Sequence, residues 1–434
     1  MRRPYVVAAV LVAVVAVATT VLIASRSTSS PPGTGPLGTG TPSPETQQWP
    51  GWGFTHTQFS ADAGARGAVR SVQQALQEQP LVQVQAIMGW GAENPEPSPG
   101  EYDFDILDRR IEFIRQSGGI PVITLCCAPD WMKGGPEGAT DWDQLEVAPL
   151  PENYADFADL AGVVAERYPD VHHFLVWNEF KGFWNEDDNT WDAEGYTDFY
   201  NQVHAAVKEA HPDALVGGPY VPMVSAEGED SGSLAGDWGA VDPRVLDAFD
   251  YWLANNRGAD FVVVDGHAVA PDGVDPFDAV AKFSAVNDWI RERTDLPIWW
   301  AEWYLDPAVE EWPADQQIAI YTAAMMEFAR SGTQTALYWN PTPGGGSCAT
   351  CLWTDTTRSE GGEALPLLQT LQGFTRWFPA GTELTEVDAP DGLRVLAQRE
   401  AMVMVNTTDE RLSATVGGTE VTLDPYETRW VPAL

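Results

Sequence analysis

Lysine is scarce in this chain. Only Lys133, Lys181, Lys208 and Lys282 occur in 434 residues, and Lys plus Arg number 24 against 63 Asp plus Glu, a formal net charge of −39. A surface so poor in cations repels phosphate backbones, which excludes nucleic acid as a partner class. No Gly-x-Ser-x-Gly turn is present, so the chain lacks the nucleophile elbow of a serine hydrolase. Its four Cys and six His show no zinc spacing. The acidic run Glu186-Asp187-Asp188-Asn189 lacks the glycine of a calcium loop and reads as a solvated turn. Neither cofactor nor metal is therefore expected. No Cys closely follows the apolar amino-terminal run, which argues against a lipoprotein anchor.

Tryptophan, by contrast, is abundant, with 19 residues. Many of them must fill core, but those at strand ends are suited to another task, because sugars present flat C–H faces that stack on indole rings. At 44% hydrophobic residues the chain can bury a sizeable core.

Arg2 and Arg3 precede an uninterrupted apolar run over residues 5–24. Basic residues before such a run stay inside and send the rest of the chain outward. Residues 1–24 are expected to be a signal-anchor or signal peptide. Residues 25–48, rich in Ser, Thr, Pro and Gly, are expected to be a flexible linker. The protein is accordingly placed outside the cytoplasm, secreted or tethered, with this segment its sole contact with a membrane.

Apolar β-type runs then alternate with amphipathic stretches. Strands are predicted near 53–56, 82–88, 121–126, 174–178, 215–218, 261–266, 297–301 and 336–339. Between them apolar residues recur at helical spacing, as in Ile106, Leu107, Ile111 and Ile114. Eight such units predict an α/β fold, a (β/α)8 TIM barrel over 49–378. Short strands without intervening helices follow, predicting a small antiparallel, sandwich-like β domain over 379–434.

Strand four ends in Trp177-Asn178-Glu179 and strand seven in Ala301-Glu302-Trp303. Barrel enzymes carry their chemistry at the carboxyl ends of strands, so the fold would bring these two Glu to one mouth. Paired carboxyl groups are the machinery of glycosidic cleavage, one protonating the departing oxygen and the other attacking carbon or activating water.

Trp177-Asn178-Glu179 with a strand-seven Glu resembles the clan A glycoside hydrolases. Gly53-Phe54-Thr55-His56-Thr57-Gln58, Tyr102-Asp103-Phe104-Asp105 and Gly217-Gly218-Pro219 resemble family 39, the β-xylosidase and α-iduronidase family. The resemblance implies a retaining β-glycosidase acting on an extracellular oligo- or polysaccharide, with Glu179 as acid/base and Glu302 as nucleophile. It also implies Asn178 on the sugar 2-hydroxyl, Trp339 as the floor under the reacting sugar, and His267 near the nucleophile. His56 would contact substrate. Trp131, Trp184, Trp191 and Trp303 would be sugar platforms. The chain departs from the clan pattern in having no Arg late in strand two and in reading His267-Ala268-Val269 where the clan has His-x-Tyr; Tyr304 or Tyr220 would supply the missing hydroxyl. The alternative is a barrel that binds carbohydrate without cleaving it. Four Cys allow three pairings: a local Cys348–Cys351 bridge is expected first, with a cross-link from strand three to the loop after strand eight as the rival.

Overall fold

The computed structural model describes residues 51–60, 64–226, 234–305, 312–339, 341–342, 348 and 350–432. The expected export segment and linker lie outside these residues. Among the described residues no helix is long and apolar enough to cross a membrane.

Eight parallel strands form a closed barrel: β1 (Gly51–Thr55), β2 (Val82–Ala86), β3 (Ile120–Leu125), β4 (His173–Val176), β5 (Leu215–Pro222), β6 (Phe261–Ala268), β7 (Ile298–Leu305) and β8 (Thr335–Trp339). They neighbour one another in chain order, and β1 closes onto β8. Helices α1 (Arg66–Leu76), α2 (Asp105–Gln116), α3 (Tyr154–Arg167), α4 (Ala193–Ala210), α5 (Pro243–Asn255), α6 (Ala281–Arg291), α7 (Ala314–Arg330) and α8 (Pro366–Trp377) follow the strands in turn.

The alternation of strand residues sorts two cores. Val82, Val84, Val122, Leu175, Phe261, Val263, Trp299 and Leu337 fill the barrel interior. The opposite faces pack under the helices in a larger cluster. Helix α2 shows the local logic: Leu107, Ile111 and Ile114 make its buried stripe, Asp105 and Asp108 sit in its first turn and Arg115 in its last, each complementing the helix dipole.

After α8 the chain forms an antiparallel sheet, in the order β9 (Leu384–Thr385), β10 (Leu393–Gln398), β11 (Ala401–Asn406) and β14 (Thr428–Pro432), and a hairpin of β12 (Leu412–Val416) with β13 (Thr419–Leu423). Val395, Met402, Met404, Val416 and Leu423 join sheet to hairpin in a small core. Trp430 packs its ring on Phe374 of α8 at 5.4 Å, and Arg330 of α7 donates to the Val395 carbonyl at 2.7 Å. The layer is thus continuous with the barrel.

Candidate active site

The turn after β4 is built against backbone preference. Trp177, Glu179 and Phe180 have φ of 68°, 49° and 56°, a left-handed region that costs a non-glycine residue about 1–3 kcal/mol. Aromatic packing holds it there. Trp177 is wedged edge-on against Phe157 and Phe199 at 5.7 and 5.5 Å, and its Nε1 donates to the Lys181 carbonyl at 2.7 Å. Phe180 stacks on Tyr196 at 3.9 Å. The forced turn leaves Glu179 at the barrel mouth.

Glu302 reaches the same mouth by another device. The registers of β7 with β6 and with β8 both shift at this point, between Val264 and Asp265 and between Trp300 and Trp303. One extra residue in a strand re-aims the side chains beyond it. Trp299 and Ala301 therefore point into the barrel, Glu302 faces the mouth, and Trp303 turns outward. A third shift, between Val263 and Val264 against β5, leaves Tyr220 unpaired in that ladder with φ 58°. Its hydroxyl donates to Glu302 Oε1 at 2.9 Å.

Carboxylate oxygens of Glu179, Asp265 and Glu302 lie within 4.8 Å of one another. Among the described residues this is the group close enough to grip a metal ion, but a cation is already there: Lys181 Nζ contacts Glu179 Oε2 at 2.6 Å and Glu146 Oε1 at 2.6 Å. Burial pushes Glu179 up, yet the hydrogen bond shared with Asp265 and the Lys181 ammonium outweigh it and hold the carboxyl below its usual value. Glu302 moves the other way. Burial and then the Glu179 charge push it up to about 8, against the Tyr220 hydrogen bond. Asp265 is fully buried; burial, the Glu179 charge and their shared hydrogen bond raise it well above the carboxylate range. An ionised carboxylate only accepts hydrogen bonds, and neither Asp265 oxygen meets a donor among the described residues; with the Glu179 carboxylate within 4.8 Å, the neutral acid is favoured on Asp265, the more deeply buried of the two. This is the reverse of the resting ionisation that an acid/base Glu179 and a nucleophile Glu302 would show, because the lysine sits on Glu179 and the deeper burial falls on Glu302.

The other expected site residues divide. Asn178 is buried beside Glu179, and its Oδ1 meets no donor among the described residues. Trp339 ends β8 at the mouth, partly exposed. His267 stacks on Tyr304 at 5.1 Å, and burial pushes the Tyr304 hydroxyl up to about 12.

Two expected contacts, those of His56 and Trp303, are corrected. His56 faces the helices: its Nε2 bonds Gln83 at 3.0 Å, its ring meets Phe113 of α2, and burial, with Arg110 nearby, lowers it to about 3. Trp303 is 1% exposed, packed against Phe283, Phe328 and Tyr338, since the bulge turned it outward. Trp131 stays partly exposed, its Nε1 donating to the Glu96 carbonyl at 2.9 Å and its ring resting on the edge of the core. Trp184 and Trp191, edge to face at 5.0 Å, instead line a cavity of ≈ 580 Å³ with Trp90, Trp142, Glu146 and Lys181. That cavity adjoins Glu179 through the lysine.

Both disulfides are local, Cys126–Cys127 and Cys348–Cys351; the strand-three cross-link is not formed. The acidic run forms a hairpin turn in which Asn185 Oδ1 accepts from the amides of Asp187 and Asp188.

Sequence reasoning missed Asp265, Lys181 and Glu146 in the cluster. Asp265 had a signal, since it shares its strand face with His267 by two-residue alternation.

A closed barrel of eight parallel strands ringed by helices is the TIM-barrel fold, and solved structures share it. The chain is similar in fold to a family 39 glycoside hydrolase from Bacteroides cellulosilyticus WH2 (TM-score 0.57, 14% identity, covering 88% of this chain and 80% of that one). It is also similar to a family 39 β-xylosidase from Caulobacter crescentus (0.54, 15%, 85% and 79%) and to SrfJ from Salmonella typhimurium (0.62, 15%, 88% and 89%). No family model matches the chain, and no curated protein matches its sequence.

Proposed function

We propose that the protein is a retaining β-glycosidase, β-xylosidase-like, that cleaves O-glycosidic bonds of an oligo- or polysaccharide outside the cytoplasm. The observation that carries this reading is the approach of the Glu179 and Glu302 carboxylates within 4.8 Å. Retaining pairs lie roughly 5–5.5 Å apart, whereas inverting pairs leave roughly 6.5–9.5 Å for a water. Glu302 attacks the anomeric carbon as Glu179 protonates the departing oxygen. Glu179 then takes a proton from the water that releases the glycosyl group. Asn178 bonds the sugar 2-hydroxyl, Trp339 lies under the ring, and Tyr220 steadies the Glu302 oxygen that does not attack. The tryptophan-lined cavity receives further sugar units. No metal enters these steps, and the amino-terminal segment serves export or tethering.

The experiment is to follow hydrolysis of aryl β-xylosides and β-xylo-oligosaccharides by proton NMR. The first sugar released is expected to carry the β anomeric signal; an α signal would make the reaction inverting.

The pH dependence has a defined sign. Glu302 attacks only when ionised, and its upward shift delays ionisation. The acidic limb of kcat/KM, which reports the free enzyme, is expected to rise toward about 8 instead of in the ordinary carboxylate range. A pH series on one aryl glycoside checks it.

A further inference from the structure

Two carboxyl groups would serve the proposed reaction, and the site holds three. Asp265 is fully buried on β6 and touches no substrate surface. Neither of its oxygens meets an N–H or hydroxyl donor among the described residues. Lys282, the buried lysine behind β6, is committed elsewhere, donating to the His267 carbonyl at 2.8 Å and to Ser225 Oγ at 3.1 Å. Lys181 binds Glu179 and Glu146. A buried carboxylate with neither donor nor cation is far costlier than the neutral acid. The acceptors that approach Asp265 are the carboxyl groups of Glu179 and Glu302, within 4.8 Å, and Glu179 is the one with which it shares its proton-bearing contact.

The arrangement also answers a problem within the reading above. When Glu302 is ionised and ready to attack, Glu179 under the Lys181 ammonium lacks the proton it must deliver. The groups around the cluster are Glu146 from the loop after β3, Glu179 and Lys181 from that after β4, Tyr220 of β5, His267 of β6, Glu302 and Tyr304 of β7, and Lys282 of α6. Beside these stands Asp265 of β6, the carboxyl group within 4.8 Å of Glu179 that has neither a donor nor an exposed face of its own.

We propose that Asp265, resting on that reading of the site, is a positioning residue that stores the proton of the acid/base and passes it to Glu179 when Lys181 shifts fully onto Glu146. The steps balance. Asp265 gives its proton to Glu179, which gives one to the departing oxygen as the C–O bond breaks and the Glu302–carbon bond forms. Water then attacks the anomeric carbon, the Glu302–carbon bond breaks, and the water proton returns through Glu179 to Asp265. The sum is addition of one water.

The test uses Asp265→Asn, which keeps size and a hydrogen-bond donor but transfers no proton, with Asp265→Ser as a second variant. Hydrolysis of an alkyl β-glycoside, which needs the acid, is expected to fall at least tenfold more than that of a dinitrophenyl glycoside, which does not; general acid assistance spans about 10²–10⁴-fold. Equal losses on both substrates, or none, overturn the proposal. Infrared spectroscopy supplies an arm independent of activity. Because Glu302 also holds its proton at neutral pH, the measurement is made in the Glu302→Gln background: a buried carboxylic-acid carbonyl band is expected there and is expected to disappear when Asp265→Asn is added; its persistence in the double variant also overturns the proposal. If the wild type cleaves no glycoside, the glycosidase reading fails while the infrared arm still decides the state of Asp265.

Discussion

Glu302→Gln is expected to lower turnover of every glycoside substrate by roughly 10⁴-fold or more, since an amide cannot form the covalent ester on which a double displacement depends. The substitution is suited to its purpose. Position 302 is 7% exposed, and Gln fills the same volume. Tyr220 keeps an acceptor in the amide oxygen, so saccharide binding and the melting temperature should change little. Loss of activity on good and poor leaving groups alike is the diagnostic, because the attacking atom is needed for both. Removing the side chain with Glu302→Gly and adding azide extends the test: azide would occupy the vacated space and yield a glycosyl azide of inverted configuration. Turnover persisting in Glu302→Gln would remove Glu302 from the nucleophile role.

Glu179→Ala should produce the second largest loss, with a different pattern. Alkyl and oligosaccharide substrates are expected to slow by about 10²–10⁴-fold, the range of general acid assistance. A dinitrophenyl glycoside needs no protonation to depart, so its first step should survive while the second, which needs Glu179 as base, becomes limiting. The covalent intermediate would then accumulate and be visible by mass spectrometry as one glycosyl unit on the protein. Azide should accelerate that variant and give a glycosyl azide of retained configuration, the opposite outcome to Glu302→Gly. Azide products of the same configuration from both variants would remove the assigned division of labour. Lys181 loses its catalytic-side partner in Glu179→Ala but keeps Glu146, so the loop after β4 should hold its place.

These predictions rest on local devices that differ in how far they could be read from the sequence. All eight barrel strands overlap the runs predicted for them, because strands buried on both faces are mostly apolar, β2 being the one that buries two glutamines, Gln83 and Gln85. Strand ends were less legible. β5, β6 and β7 run to Pro222, Ala268 and Leu305, well past their predicted ends, because the mouth retains ladder pairing among polar and aromatic residues. His56 and Trp303 were misread for one reason. Both lie at the carboxyl ends of strands, where position suggests a site, but the face a side chain takes depends on register. At Trp303 that register is broken by the bulge in β7. A bulge is a property of strand pairing and leaves no pattern in one strand alone.

Sequence by itself determined the alternation of strands and helices, the barrel it closes into, and the delivery of Glu179 and Glu302 to one end of it, since apolar periodicity and chain order suffice for each. Only the tertiary structure decided which carboxyl holds a proton. Asp265, Lys181 and Glu146 come from different strands and loops, and the ionisation of each depends on burial and on charges a few ångströms away, quantities that exist only once the chain has folded.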